Sequence, residues 1–129
     1  MNATLTADHR ETLVNLYRAF NQRDIDEVME HLAPGVDWPN GWEGGRIHGR
    51  DAVRDYWARQ WAAINPRVEP LDIVTAADGK VHVRVDQLVR ALDGKVLDNK
   101  QIEHVYEFDG PFITRMTIVD AAKPDDEDD

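Results

Sequence analysis

The chain has 129 residues, 42% of them hydrophobic, enough for one packed domain but not two. Its formal net charge of −10 excludes a protein that tracks phosphates with a basic stripe, so no nucleic-acid partner is expected. The lack of cysteine excludes disulfides, thiolate metal sites and cysteine nucleophiles. No apolar run reaches membrane-spanning length and no signal-peptide pattern opens the chain, so no membrane partner and a cytoplasmic location are expected.

In chain order, Thr6 is a candidate helix N-cap, with Asp8 and Glu11 near the positive end of the dipole. Leu13, Leu16, Tyr17 and Phe20 recur at helical spacing and predict one buried face. Asp24, with Glu27 three residues on, predicts a capped second helix whose face is Ile25, Val28, Met29 and Leu32, stopped by Pro34-Gly35. Val36-Asp37-Trp38 reads as a short strand, and the glycine-rich segment 39–49 as a loop. Asp51 is a candidate cap for a third helix that buries Val53, Tyr56, Trp57, Trp61 and Ile64 and ends at Asn65-Pro66.

The period then changes from 3.6 to 2. Asp78-Gly79, Asp93-Gly94 and Asp109-Gly110 punctuate four strands, near 68–77, 80–92, 95–108 and 112–120. Asp-Gly between alternating segments signals a type I′ hairpin, so the four strands form an antiparallel meander. Helices followed by a meander give an α+β fold of three helices over a curved antiparallel sheet. The domain spans 1–121. Residues 122–129, which hold Lys123 and then five acidic residues, have nothing to bury and are expected to be a disordered tail.

A two-residue turn at Asp93-Gly94 would set Leu92 against Lys95 and fix the register of the middle hairpin. Val85 then faces Ile102, Val83 faces His104, and Val81 faces Tyr106. Arg84 pairs with Glu103 and Asp86 with Gln101 on the other face. One histidine, His104, is thereby placed among valines, an isoleucine and a tyrosine.

The chain resembles the ketosteroid isomerase and polyketide cyclase branch of the nuclear transport factor 2-like superfamily. The resemblance rests on Tyr17-Arg18-Ala19-Phe20-Asn21 with Asp24-Ile25, on Val36-Asp37-Trp38, on Ile47-His48-Gly49-Arg50, and on His104-Val105-Tyr106-Glu107-Phe108 with Ile113 and Met116. It implies a cone-shaped roll around an apolar pocket and a homodimer formed through the outer sheet face that carries Arg84, Asp86 and Glu103. It also implies departures from steroid isomerase chemistry. The general-base aspartate falls on Trp38 or Asn40, the oxyanion-hole tyrosine on Leu16 beside Tyr17, and the neutral-acid aspartate on His104.

His104 is accordingly the main catalytic candidate, with Asp120 as the carboxylate that orients it and Tyr17 as a hydrogen-bond donor. The alternative for His104 is a core histidine with satisfied hydrogen bonds. Leu16, Phe20, Trp38, Asn40, Trp42, Trp57, Val85, Ile102 and Met116 are the candidate ligand contacts. Trp38 and Trp42 flank the glycine-rich loop; Trp57 and Trp61, at helical spacing, also suit a packing role. Arg46 and His48 are placed to meet an anionic group, or else are solvated. No metal is expected, because the five histidines form no close pair, and no cofactor fingerprint is present. Two functions remain open. One is an acid–base isomerase, dehydratase or cyclase acting on a small apolar organic molecule; the other is a non-catalytic binding or dimerisation domain. The enzyme reading requires His104 to face an open cavity within hydrogen-bond reach of Asp120 or Tyr17.

Overall fold

The computed structural model describes residues 2–40 and 44–119, with side chains from residue 9 onward. Trp42, Asp120 and the acidic tail lie outside the described residues.

The first helix, α1, runs Asn2–Gln22 and passes through Thr6, so Thr6 is not its cap. Its inner face is the expected one: Leu13, Leu16 and Tyr17 are buried and Phe20 is half-buried. The helix ends in a reciprocal pair of bonds, Arg23 N–H to Phe20 O (3.0 Å) and Asp24 N–H to Ala19 O (2.9 Å). That is a Schellman arrangement, whose left-handed residue is usually glycine. Here it is Arg23, with φ 65°.

Asp24 caps α2 (Ile25–Glu30) by accepting from the Glu27 N–H at 3.3 Å. The helix stops well before Pro34-Gly35. Strand β1 (Leu32–Pro39) takes over, with Leu32, Val36 and Trp38 buried on one face. A spacing of four fits a helical stripe and a strand face alike, which is why Leu32 reads as helical from sequence. Pro34 and Gly35 instead occupy the irregularity between the pairs Leu32–Ile113 and Asp37–Arg115, where a residue without an N–H costs no ladder bond.

The expected loop 39–49 contains a short strand, β2 (Arg46–His48), antiparallel to β1. Helix α3 (Arg50–Ala63) starts from Gly49, whose φ of 89° suits glycine, and has no side-chain cap. Asp51 lies in the first turn, where it meets the dipole instead of capping. Val53, Tyr56 and Trp57 are buried, whereas Ile64 already belongs to the next strand.

Strands β3 (Ile64–Thr75), β4 (Val81–Ala91), β5 (Val96–Asp109) and β6 (Phe112–Val119) form the antiparallel meander. The six strands lie in the order β2-β1-β6-β5-β4-β3, with β1 parallel to β6. The sheet is therefore mixed, not wholly antiparallel, because the chain returns through α3 before the meander begins.

The turn chemistry differs from expectation. None of the turn aspartates Asp78, Asp93 and Asp109 has positive φ, so none of the Asp-Gly turns is type I′. Asp78 and Asp93 instead accept from the N–H two residues on, each at 3.0 Å, and Gly79 and Gly94 supply the positive φ of three-residue loops. In the third hairpin the two turn residues are Gly110-Pro111, between the paired Asp109 and Phe112.

Ala91, not Leu92, bonds to Lys95. That slips the middle hairpin by one residue, and a bulge between Val89 and Arg90 slips it back. The two irregularities cancel. Val85 faces Ile102, Val83 faces His104, Val81 faces Tyr106, Arg84 faces Glu103 and Asp86 faces Gln101, as the alternation requires. On the outer face Glu103 meets His82 Nδ1 at 3.2 Å, while Arg84 reaches Gln101 (3.4 Å).

Candidate functional site

The inner face of the sheet, with α1 and α3, borders a cavity of about 470 Å³. Its position follows from the alternation of β5, which turns Ile102, His104 and Tyr106 inward. Leu16, Tyr17 and Phe20 line it from α1, Trp38 and Asn40 from the end of β1, Trp57 from α3 and Met116 from β6. Trp38 and Trp57 meet edge to face at 5.2 Å and form a wall; they do not fill the space. Phe20 meets Trp57 edge-on at 5.5 Å, and Trp61 stacks behind Trp57 at 6.2 Å. Val85 is fully buried in the core beside the cavity and does not line it.

The inner end carries three polar groups in a line. The Tyr106 hydroxyl donates to the Tyr17 hydroxyl at 2.9 Å, and Tyr17 lies 2.7 Å from His104 Nδ1. A phenol has one proton. Having accepted from Tyr106, Tyr17 is free to give its own proton to Nδ1, an arrangement that leaves the imidazole proton on Nε2. In that arrangement Nε2–H is the ring donor left to His104, which lines the cavity. His104 is only 6% exposed, and burial lowers its pKa to about 4, so the ring is neutral at pH 7. Burial likewise raises both tyrosine hydroxyls above their ordinary value, with Tyr106 adding to the effect on Tyr17. The inner end is therefore uncharged.

Nδ1 of His104 meets the Tyr17 hydroxyl, the hydrogen-bond contact expected between these two residues. Asp120 and Trp42 lie outside the described residues. Tyr106 was placed on the correct face by register but given no role. The inward alternation of β5, carried past Ile102, reaches Lys100 and Asp98, opposite Gln87 and Val89. Lys100 and Asp98, 3.7 Å apart, are the charged pair at that end.

Arg46 is no solvated loop residue. Its Nε donates to Asp37 at 2.7 Å, and its Nη2 reaches the Met116 carbonyl at 2.6 Å. Asp37 also takes Arg115 at 2.6 Å and lies 3.5 Å from His48. The hydrogen bond from Arg46, with help from Arg115 and His48, holds the Asp37 carboxyl below its ordinary pKa. This hub ties β1, β2 and β6 together at the cavity wall. Among the described residues no group of three or more His, Asp or Glu side chains is placed to hold a metal ion. No helix among them is long and apolar enough to cross a membrane.

The SnoaL-like domain model matches residues 13–116, which include every residue that lines the cavity except Thr117 and Ile118. The chain belongs to the SnoaL-like domain family. It is thereby a member of the nuclear transport factor 2-like superfamily. No curated protein sequence matches it. Solved structures share the fold at low identity. TerC, co-crystallised with polyporic acid, is 22% identical, with a TM-score of 0.76 over 93% of this chain and 96% of its own. SalBIII, an epoxide hydrolase/cyclase-like enzyme with a role in pyran ring formation in the polyether salinomycin, is 19% identical, with a TM-score of 0.71 over 86% and 88%. A protein of ketosteroid isomerase-like fold from Catenulispora acidiphila, in complex with trimethylamine, is 16% identical, with a TM-score of 0.73 over 84% and 83%. At these identities the likeness concerns the fold, and the chemistry of this SnoaL-like domain rests on its own residues.

Proposed function

We propose that this SnoaL-like domain is an acid–base enzyme of the cyclase, isomerase or dehydratase kind, acting on a small, largely apolar organic molecule without a cofactor. The observation that carries the proposal is the buried, neutral His104, hydrogen-bonded through Nδ1 to Tyr17 and lining a cavity with aromatic walls. Ring closures, double-bond shifts and dehydrations next to a carbonyl pass through enolates. In the proposed reaction the substrate carbonyl accepts from His104 Nε2–H, and the bond strengthens as negative charge develops on the oxygen. A neutral imidazole suits that part, since it donates without carrying charge into an apolar site.

The reaction also needs a proton acceptor. His104, with a pKa of about 4, is a weak one. Asp120 follows directly on β6, two residues after Ile118, which lines the cavity and pairs with His104. We assign the proton-abstracting role to Asp120. Two relatives support a small organic ligand, because TerC and the Catenulispora protein were each crystallised with one.

The test is a panel of small phenols, which mimic an enolate, together with cyclisable diketones and keto esters analysed by mass spectrometry. Phenols of falling pKa are expected to bind with rising affinity, and His104→Phe to abolish that trend. Asp120→Asn is expected to retain phenol binding and lose turnover. Phenol binding through His104 with no turnover of any panel member by wild type would favour the non-catalytic binding role; phenol binding unchanged in His104→Phe would refute both.

A further inference from the structure

We infer that a second concavity, on the far side of Pro66 from the main cavity, binds a small oxyanion of the phosphate or sulfate class. Its volume is about 250 Å³, and it lies where the end of α1 meets β3 and β4. Three arginines, Arg23, Arg67 and Arg90, line it, and among the described residues no Asp or Glu does. In a chain with 25 acidic and 15 basic residues, three cations without an acid among them run against the composition.

The other polar groups there are already satisfied. The Asn21 carboxamide is consumed by Val68, taking its N–H at 2.9 Å and giving to its carbonyl at 2.7 Å. The Asn65 side-chain oxygen accepts from Arg23. What remains to be satisfied is positive charge. Glu69 pairs with Arg67 from outside the concavity, and the Arg90 side chain makes no hydrogen bond or ion pair among the described residues.

Geometry favours a shared ligand. Arg67 is the cross-strand partner of Leu88, and Arg90 lies two residues further along β4, so both project from one face of the sheet as diagonal neighbours. Diagonal neighbours sit roughly 7–8 Å apart, a span that one tetrahedral oxyanion bridges between two guanidinium forks. Arg23 closes the third side and is fixed in place. Its Nη2 donates to the Pro66 carbonyl at 2.7 Å, its Nη1 to the Phe20 carbonyl at 3.1 Å, and its guanidinium stacks over Trp61 at 5.2 Å. The backbone holds Arg23 at φ 65°, where glycine would sit without strain. Burial and the nearby Arg67 charge both pull the Arg23 pKa down. The site is too small and too polar for the apolar ligand of the main cavity and is independent of it.

Isothermal titration with inorganic phosphate, ionic strength held constant with chloride, tests this on the full chain. Saturable one-to-one binding is expected. Arg90→Gln should weaken it about tenfold, since one charge-assisted partner is lost. Glu69→Gln should strengthen it several-fold by releasing Arg67, an opposite sign that partial unfolding cannot mimic. Phenyl phosphate binding at least as tightly as the free ion would identify the ligand as a phosphate-bearing small molecule, and the reverse order as the free ion. Absence of saturable binding to wild type, or equal binding by wild type and Arg90→Gln with both folded by circular dichroism, overturns the inference.

Discussion

Replacing His104 with glutamine probes the neutral state of the buried ring through stability. Glutamine keeps an oxygen for the Tyr17 proton and an N–H for the cavity but does not titrate. In wild type the folded-state pKa is lowered from 6.5 to about 4 by burial. The unfolded chain therefore binds a proton as pH falls through 6.5 while the folded chain resists until about pH 4. Stability contributed by the neutral ring is complete above the unfolded value, is lost progressively as pH falls across that window, and is gone below the folded value. Between pH 7 and pH 4 this linkage amounts to about 3 kcal/mol, from roughly 1.4 kcal/mol per pKa unit less the half-protonation of the folded ring. Urea unfolding followed by tryptophan fluorescence at steps from pH 7 to pH 4 measures it. Other carboxylates titrate in both proteins, so the difference between wild type and His104→Gln isolates the one group. The variant is expected to lose about 3 kcal/mol less than wild type over this range. Parallel pH profiles would show that the ring is already solvated when folded and would refute the reasoning.

Further expectations concern other residues. Tyr106→Phe removes the donor to Tyr17 and frees the Tyr17 proton, so His104 should populate both tautomers, visible in ring 15N shifts, with the fold retained. Asp37→Asn weakens the hub joining β1, β2 and β6 and should cost about 1–2 kcal/mol in denaturant unfolding at pH 7. Because the Asp37 pKa is lowered in the folded state, the difference from wild type should shrink as pH falls below the ordinary carboxylate range. Arg23→Gly relieves a left-handed residue but loses its bonds to Phe20 and Pro66, and a net destabilisation of about 1 kcal/mol is expected by thermal melting. The outer face bearing Arg84, Asp86 and Glu103 is proposed as a homodimer interface of roughly 1,600 Å². Sedimentation at tens of micromolar should give a dimer, and a monomer there would exclude that interface.

Most of the fold was legible because hydrophobic period and strand alternation are local signals. The inner face of α1 and the partners of His104 follow from them directly. The pairing survived a wrong turn type because the extra residue in the Leu92-Asp93-Gly94 loop is offset by the bulge at Val89 and Arg90, and the alternation of buried side chains fixes the register deeper in the strands. What escaped was decided by tertiary context. Leu32 satisfies helix and strand spacing alike and is settled by its pairing with Ile113. Strand β2 exists because Asp37 draws Arg46 and His48 alongside it, a contact no local pattern encodes. Within the site, His104 and Tyr17 were found from register and resemblance. The hydrogen-bonded order Tyr106–Tyr17–His104 needed the distance between α1 and β5, which no spacing within either element supplies.

The central claim is that His104 is a neutral, single-tautomer donor facing the main cavity. Long-range 15N–1H NMR of the imidazole, recorded from pH 7 to pH 4 with and without a substituted phenol, tests it most directly. The prediction is a proton on Nε2 and none on Nδ1, a midpoint near pH 4, and a downfield shift of Nε2–H when the phenol binds. A proton on Nδ1, a midpoint near 6.5, or an Nε2–H resonance indifferent to bound phenol would contradict it.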